Sequence, residues 1–178
     1  MKNPGKMVAV LGLTALTAGL SAATAHDNDR DNDKHGRREI VHAVLLGINE
    51  TPSTLSTPAS GKLWAEIDED SGVINFKLTY EGLTTSPPLF AHIHLGERHT
   101  TGGVMVFLCG GGGKPACPAA PAEVTGSIMA ADVIGPTAQG ITAGQFEKVL
   151  DAIRSGAAYA NVHTTTYPSG EIRGQVSR

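Results

Sequence analysis

The sequence predicts a mostly β protein, an antiparallel β-sandwich or barrel with one short helix. Three observations lead there. Short runs alternate apolar and polar residues, clusters of turn formers separate them, and a single segment carries helical periodicity. Several short strands at such spacing are the pattern of antiparallel sandwiches and barrels.

The elements follow in order. IVHAVLLG (40–47) alternates and ends before Asn49, Pro52 and Pro58. GKLWAEID (61–68) and VINFKLTYEGL (73–83) flank Asp70-Ser71-Gly72, a hairpin signal. Ser86-Pro87-Pro88 precedes LFAHIHL (89–95), then come GVMVFLC (103–109) and EVTGSIMA (123–130). AAYANVHT (157–164) and EIRGQV (171–176) close the chain around Pro168-Ser169-Gly170. The helical segment is ITAGQFEKVLDAIRSG (141–156), with Phe146, Val149, Leu150 and Ile153 on one face. Thr142 and Gln145 read as a capping box and Gly156 as the stop.

The N-terminus reads differently. Lys2 and Lys6 precede an apolar run from Met7 to Leu20, and Ala23-Thr24-Ala25 is an A-x-A cleavage site. Residues 1–25 are therefore read as a signal peptide cleaved after Ala25, giving a secreted or periplasmic protein. The run is short of the roughly 20 residues a membrane span needs, so no membrane span is expected. Residues 26–38, HDNDRDNDKHGRR, hold no apolar side chain and balance four Asp with four Lys or Arg. Such a tract buries nothing and reads as a disordered tether, whose His26 and His35 among aspartates offer at most a loose metal scavenger. The domain proper is residues 39–178. Loss of Lys2 and Lys6 takes the formal charge from −3 to −5, the wrong sign for nucleic acid. An unidentified protein or small ligand remains the expected partner.

Cys109 and Cys117 are the two cysteines. In an oxidising compartment they are expected to form a disulfide across CGGGGKPAC, a local staple. Their spacing is not C-x-x-C, which disfavours a redox-active pair. The GGGG at 110–113 leads to Lys114-Pro115 and no helix, so it makes no phosphate loop. No nucleophile elbow or dinucleotide fingerprint occurs.

The chemistry-bearing pattern is AHIHL. Residues two apart on a strand share a face, so Ala91, Ile93 and Leu95 point to the core while His92 and His94 project from the other face. In AAYANVHT, Tyr159, Asn161 and His163 likewise oppose Ala158, Ala160 and Val162. Three neutral imidazoles suit copper or zinc and leave a position open. The predicted metal site is therefore His92, His94 and His163, with Asn161, Glu171 or backbone carbonyls to orient the rings; His42 and His99 are further candidates that no pattern selects. The competing reading is a network of hydrogen-bonded histidines that stiffens the sandwich without metal. Glu171 and Arg173 read as an exposed ion pair of little energetic weight.

Taken together, LLGINETP, AHIHLG, GGVMVFLC and AAYANVHTTTYPSGEIRGQV resemble the chordin-domain (CHRD) family over nearly all of residues 39–178. The resemblance implies an extracellular β-sandwich domain without a defined biochemical activity; the expected fold is immunoglobulin- or superoxide-dismutase-like. It favours a non-catalytic binding or structural module. A looser resemblance to the copper/zinc superoxide dismutases offers the alternative, a copper-dependent oxidoreductase. In it His92, His94 and His163 stand as copper ligands and Arg173 as the anion-guiding arginine. Against it, the chain shows no bridging histidine, no aspartate-containing zinc cluster and no long ligand-rich loop after H-x-H.

The exported protein is expected to begin at His26, which intact-mass measurement of the purified material checks; a retained Met1–Ala25 segment contradicts the cleavage reading.

Overall fold

The computed structural model describes residues 38–178; the expected signal peptide, and the expected tether up to Arg37, lie outside them. Eight strands form one antiparallel sheet. They are β1 (Arg38–Leu46), β2 (Ser60–Asp68), β3 (Val73–Glu81), β4 (Phe90–Leu95), β5 (Val104–Cys109), β6 (Ala122–Ile128), β7 (Ala158–His163) and β8 (Ile172–Gln175), with helix α1 (Phe146–Arg154) before β7. All eight predicted strands are present. Among the described residues β1 begins at Arg38, which pairs with Asp68.

The strand order is β5-β4-β7-β8-β1-β2-β3-β6. The edge strands β5 and β6 come within 8 Å of each other, Cα to Cα, so the sheet curls into a nearly closed barrel. Near-closure sets the two edge strands beside each other without a ladder between them. Alternation explains the interior: Val41, Ala43 and Leu45 on β1, Leu63, Ala65 and Ile67 on β2, and Ile74, Phe76 and Leu78 on β3 all point inward and are buried. Their neighbours in sequence face solvent along β1 and β3.

The small residues Ala91, Ala158 and Ala160 face the same interior. They share one core with the apolar stripe of α1, whose Phe146, Val149, Leu150 and Ile153 are buried. Arg154 at the helix end reaches Glu39 at 2.9 Å and Glu69 at 2.8 Å. These acids sit where β1 begins and β2 has ended, so the helix plugs that end of the barrel. The helix starts four residues later than its expected capping box. Gln145 Oε1 does accept the Thr142 N–H, at 2.8 Å, but Gly144 sits at φ +84°. A left-handed residue cannot lie inside a right-handed helix, so the turn at 142–145 stays outside it. Gly156, at φ +75°, ends the helix as read.

Cys109 and Cys117 lie at disulfide distance, Cα to Cα 5.0 Å. They close the loop that crosses the β5–β6 seam, where Tyr80 donates its hydroxyl to Pro118 O at 2.6 Å and Lys114 pairs with Asp132 at 2.8 Å. No helix among the described residues is long and apolar enough to cross a membrane.

Since the disulfide constrains only this short loop, the Cys109→Ser, Cys117→Ser variant is expected to lose about 2–3 kcal/mol. Urea unfolding should show that loss with the far-UV circular dichroism of the folded state unchanged.

Candidate functional site

β4 and β7 are buried on both faces, which the alternation alone does not reveal. Their inner face is apolar; their outer face carries the histidines. The pairing of β4 with β7 sets Phe90 opposite His163, His92 opposite Asn161 and His94 opposite Tyr159. His163 is thus the diagonal neighbour of His92 on the same face, a separation that ring side chains bridge. Two register shifts in the β4–β5 pairing flank His92 and Ile93, irregularities of the kind that re-aim side chains.

The three imidazoles converge. Ring centroids are 4.4 Å apart for His92–His94, 4.4 Å for His92–His163 and 6.1 Å for His94–His163. One potential ligand nitrogen from each lies within 4.8 Å of the other two. Three nitrogens held at about 2.0–2.1 Å around one ion in a plane sit about 3.5 Å apart, so small ring rotations complete the approach. Among the described residues this is the one cluster of three or more metal-ligating side chains so placed. The exposed His42 and His99 stand apart from it.

Loops cover the site, leaving His92, His94 and His163 only 5%, 8% and 7% exposed. They also fix two rings. His94 Nδ1 lies 2.8 Å from Gly102 O and His163 Nδ1 lies 3.0 Å from Pro168 O. A carbonyl oxygen can only accept, so both rings carry their proton on Nδ1 and present an unprotonated Nε2. Both Nε2 atoms are buried without a partner, and so is Nδ1 of His92. Three orphaned ring nitrogens in one cluster run against the rule that buried polar atoms are satisfied.

The ring-orienting partners are therefore backbone carbonyls; Asn161 and Glu171 are engaged elsewhere. Asn161 Nδ2 donates to Glu50 Oε1 at 2.7 Å and to Ile172 O at 2.9 Å. The expected exposed pair of Glu171 and Arg173 is overturned: they are 0% and 3% exposed and bond to different groups. Glu171 accepts from Thr84 N–H and Oγ1 at 2.8 and 2.6 Å and from Thr164 Oγ1 at 2.8 Å, so it ties two loops together. Arg173 donates to Glu97 O at 3.0 Å and lays its guanidinium 3.5 Å from the centre of the Tyr159 ring. Tyr159 in turn stacks on His94, centroids 4.6 Å apart and planes at 3°. The sequence reading missed Glu50, Tyr159 and the burial of Arg173. The signal available for Glu50 was the Asn49-Glu50-Thr51-Pro52 motif, whose Asn49 also donates to Arg173 O at 3.2 Å.

Burial dominates the electrostatics. It pushes His92 down to about 2, helped by repulsion from His163 and His94. It pushes His94 down to about 4 against the opposing Gly102 hydrogen bond, and it lowers His163 too. Burial pushes Glu50 the other way, up to about 7, although Asn161 and Arg173 favour its ionised form.

These features define an antiparallel β-barrel module with a buried tri-histidine cluster on its outer face. The CHRD domain family model matches residues 41–176, and the chain belongs to that family. No curated protein and no solved structure matches the chain.

Linkage gives these shifts opposite signs. A histidine whose folded pKa is depressed contributes stability above its unfolded value near 6.5, lost as pH falls toward the folded value. Glu50, raised, contributes stability below about 4.5 that is lost as pH rises through about 7. Between pH 6.5 and 4.5 they oppose, each at up to about 1.4 kcal/mol per pH unit; His92 and His94, with His163 shifted in the same direction, outweigh one glutamate. Metal-free protein is therefore expected to be less stable at pH 5 than at pH 7.5 when unfolded in urea. His92→Gln should make the pH dependence shallower; a flat profile in the parent contradicts neutral burial of the cluster.

Proposed function

We propose that this chain is an exported CHRD module, non-catalytic, that binds a transition metal ion through His92, His94 and His163. The observation that supports this reading most is the set of three buried, unpartnered ring nitrogens presented by rings that neighbouring carbonyls hold in place. A network built for stiffness would satisfy those nitrogens with hydroxyls or amides; leaving each orphan costs roughly 1–3 kcal/mol. A bound ion turns all three lone pairs into ligand bonds. Imidazole donors suit copper and zinc, and the carbonyl-to-ring hydrogen bonds are the usual support of metal-ligating histidines. Export follows from the leader-like residues 1–25 and agrees with the cysteine pair. No observation in the fold or the site favours dismutase activity over simple binding.

Titrating chelator-treated protein with Cu(II) and Zn(II) tests the reading. Stoichiometric binding of one ion per chain is expected, and His92→Gln should weaken it by more than about 100-fold, beyond what loss of a supporting residue costs. Equal affinity in parent and variant returns the histidines to a structural role.

A further inference from the structure

We infer that the tri-histidine site is tuned for monovalent copper, Cu(I), and that Arg173, acting across the Tyr159 ring, sets that preference. The inference rests on the reading of the trio as a metal site and names its ion. The donor set is uncharged. Three imidazoles supply it, and among the described residues no carboxylate or thiolate joins the cluster. An ion there keeps its full charge inside a shell that is mostly aromatic. Phe107 meets His92 edge-on at 5.1 Å, Phe90 stacks on it at 6.3 Å, and Tyr159 covers His94. Desolvation cost grows with the square of the charge, so a divalent ion pays about four times what a monovalent one does in the same shell.

The neighbouring charge acts in the same sense. β4 and β8 flank β7 on opposite sides, so Tyr159 is sandwiched between His94 of one and Arg173 of the other. The three planar groups form a column of guanidinium, phenol and imidazole. Arg173 is buried and makes no ion pair within 4.0 Å among the described residues; Glu50, the acid it interacts with, is itself driven by burial toward its neutral form. Its repulsion on a divalent ion is twice that on a monovalent ion at the same distance. The column also holds the ligand ring still: the Tyr159 hydroxyl accepts the Gly102 N–H at 3.2 Å, and Gly102 O receives the His94 proton. Coordination number completes the case. Cu(I) is satisfied by three ligands in a plane, whereas Zn(II) takes four and Cu(II) prefers a tetragonal set. Arg173 is thus a positioning residue that touches the ligand ring only through Tyr159, and its charge selects among ions.

The test is a three-ion comparison on the purified mature chain. Cu(I) is delivered anaerobically against a chromophoric Cu(I) chelator, Cu(II) and Zn(II) against chelators of their own. The expected result is Cu(I) bound at least 100-fold more tightly than Zn(II) and retained in a large excess of zinc. In Arg173→Met, which removes the charge and keeps most of the volume, Cu(II) and Zn(II) should gain about tenfold relative to Cu(I). For the copper couple, tenfold is a fall of about 59 mV in potential. Arg173→Lys, which keeps the charge, should restore most of the parent ratio. Zinc binding equal to or tighter than Cu(I) overturns the inference and leaves the metal site standing. A loss of affinity for all three ions alike in both Arg173 variants overturns the selecting role. Failure of the parent chain to bind any of the three overturns the metal reading and this inference together.

Discussion

The pairing of β4 with β7 is the constraint on which the rest of the structure depends. These neighbouring strands must satisfy two faces at once. Inward, Ala91, Ile93, Ala158, Ala160 and Val162 supply the low-volume wall against which the barrel core and α1 pack. Outward, the same twelve residues present His92, His94, Tyr159, Asn161 and His163, none of which reaches open water. Each buried polar group then demands a partner, and the loops are arranged to supply them. Gly102 and Pro168 offer carbonyls, the turn after β1 offers Glu50 to Asn161, and Glu171 gathers Thr84 and Thr164. The loops lie where the outer face of β4 and β7 calls for them.

That arrangement leaves three ring nitrogens unpartnered while almost everything around them is satisfied. At roughly 1–3 kcal/mol per orphan, the cluster withholds an amount comparable to much of a domain's net stability of about 5–15 kcal/mol. Departures of this size from local consistency concentrate at functional sites. The neighbouring groups do not behave this way. Asn161 makes two bonds with one amide nitrogen and Glu171 fills both carboxylate oxygens. Thr57 Oγ1 and Gln175 Oε1 are also unpartnered, but among the described residues the three ring nitrogens are the ones that share a centre.

Much of the fold was legible because it rests on period two. Every strand was visible as alternation, and the shared face of His92, His94 and His163 follows from the same rule. What alternation does not carry is the environment of the second face. On β1 and β3 that face meets solvent, on β4, β7 and β8 it meets loops, and a polar residue there looks alike in both cases. Glu171 and Arg173 were read as a surface pair for this reason; β8 lies inside the sheet, between β7 and β1, under the loop carrying Glu97. The stack of Arg173 on Tyr159 on His94 joins residues from three strands, 79 positions apart at its ends, and no local pattern encodes it. The start of α1 was misplaced for a different reason. A capping-box spelling at Thr142 and Gln145 is legible, but the left-handed Gly144 between them is a backbone choice that glycine permits without requiring.

The cover over the histidines also bears on whether the site holds an ion or turns over a substrate. A catalytic metal needs an open position that reactants reach, often under a loop that swings aside. Here the loop that supplies Gly102 packs closely against its neighbours. A Cβ added at Gly102 would collide with Leu95 O, and one at Gly103 would strike Pro136. Leu95 N–H donates to Gly103 O at 3.0 Å, and Gly103 N–H donates to Gln139 at 2.6 Å, so the loop is stitched to the strand it leaves and to the segment before α1. On the opposite side Phe107 fences His92, and the partly exposed Phe90 stands at the rim. Freeing a substrate path would break these bonds and expose the rings that burial keeps neutral. Under the proposed metal reading, the ligand rings are prepositioned by carbonyls, the donor set is uncharged and aromatic rings wall the site.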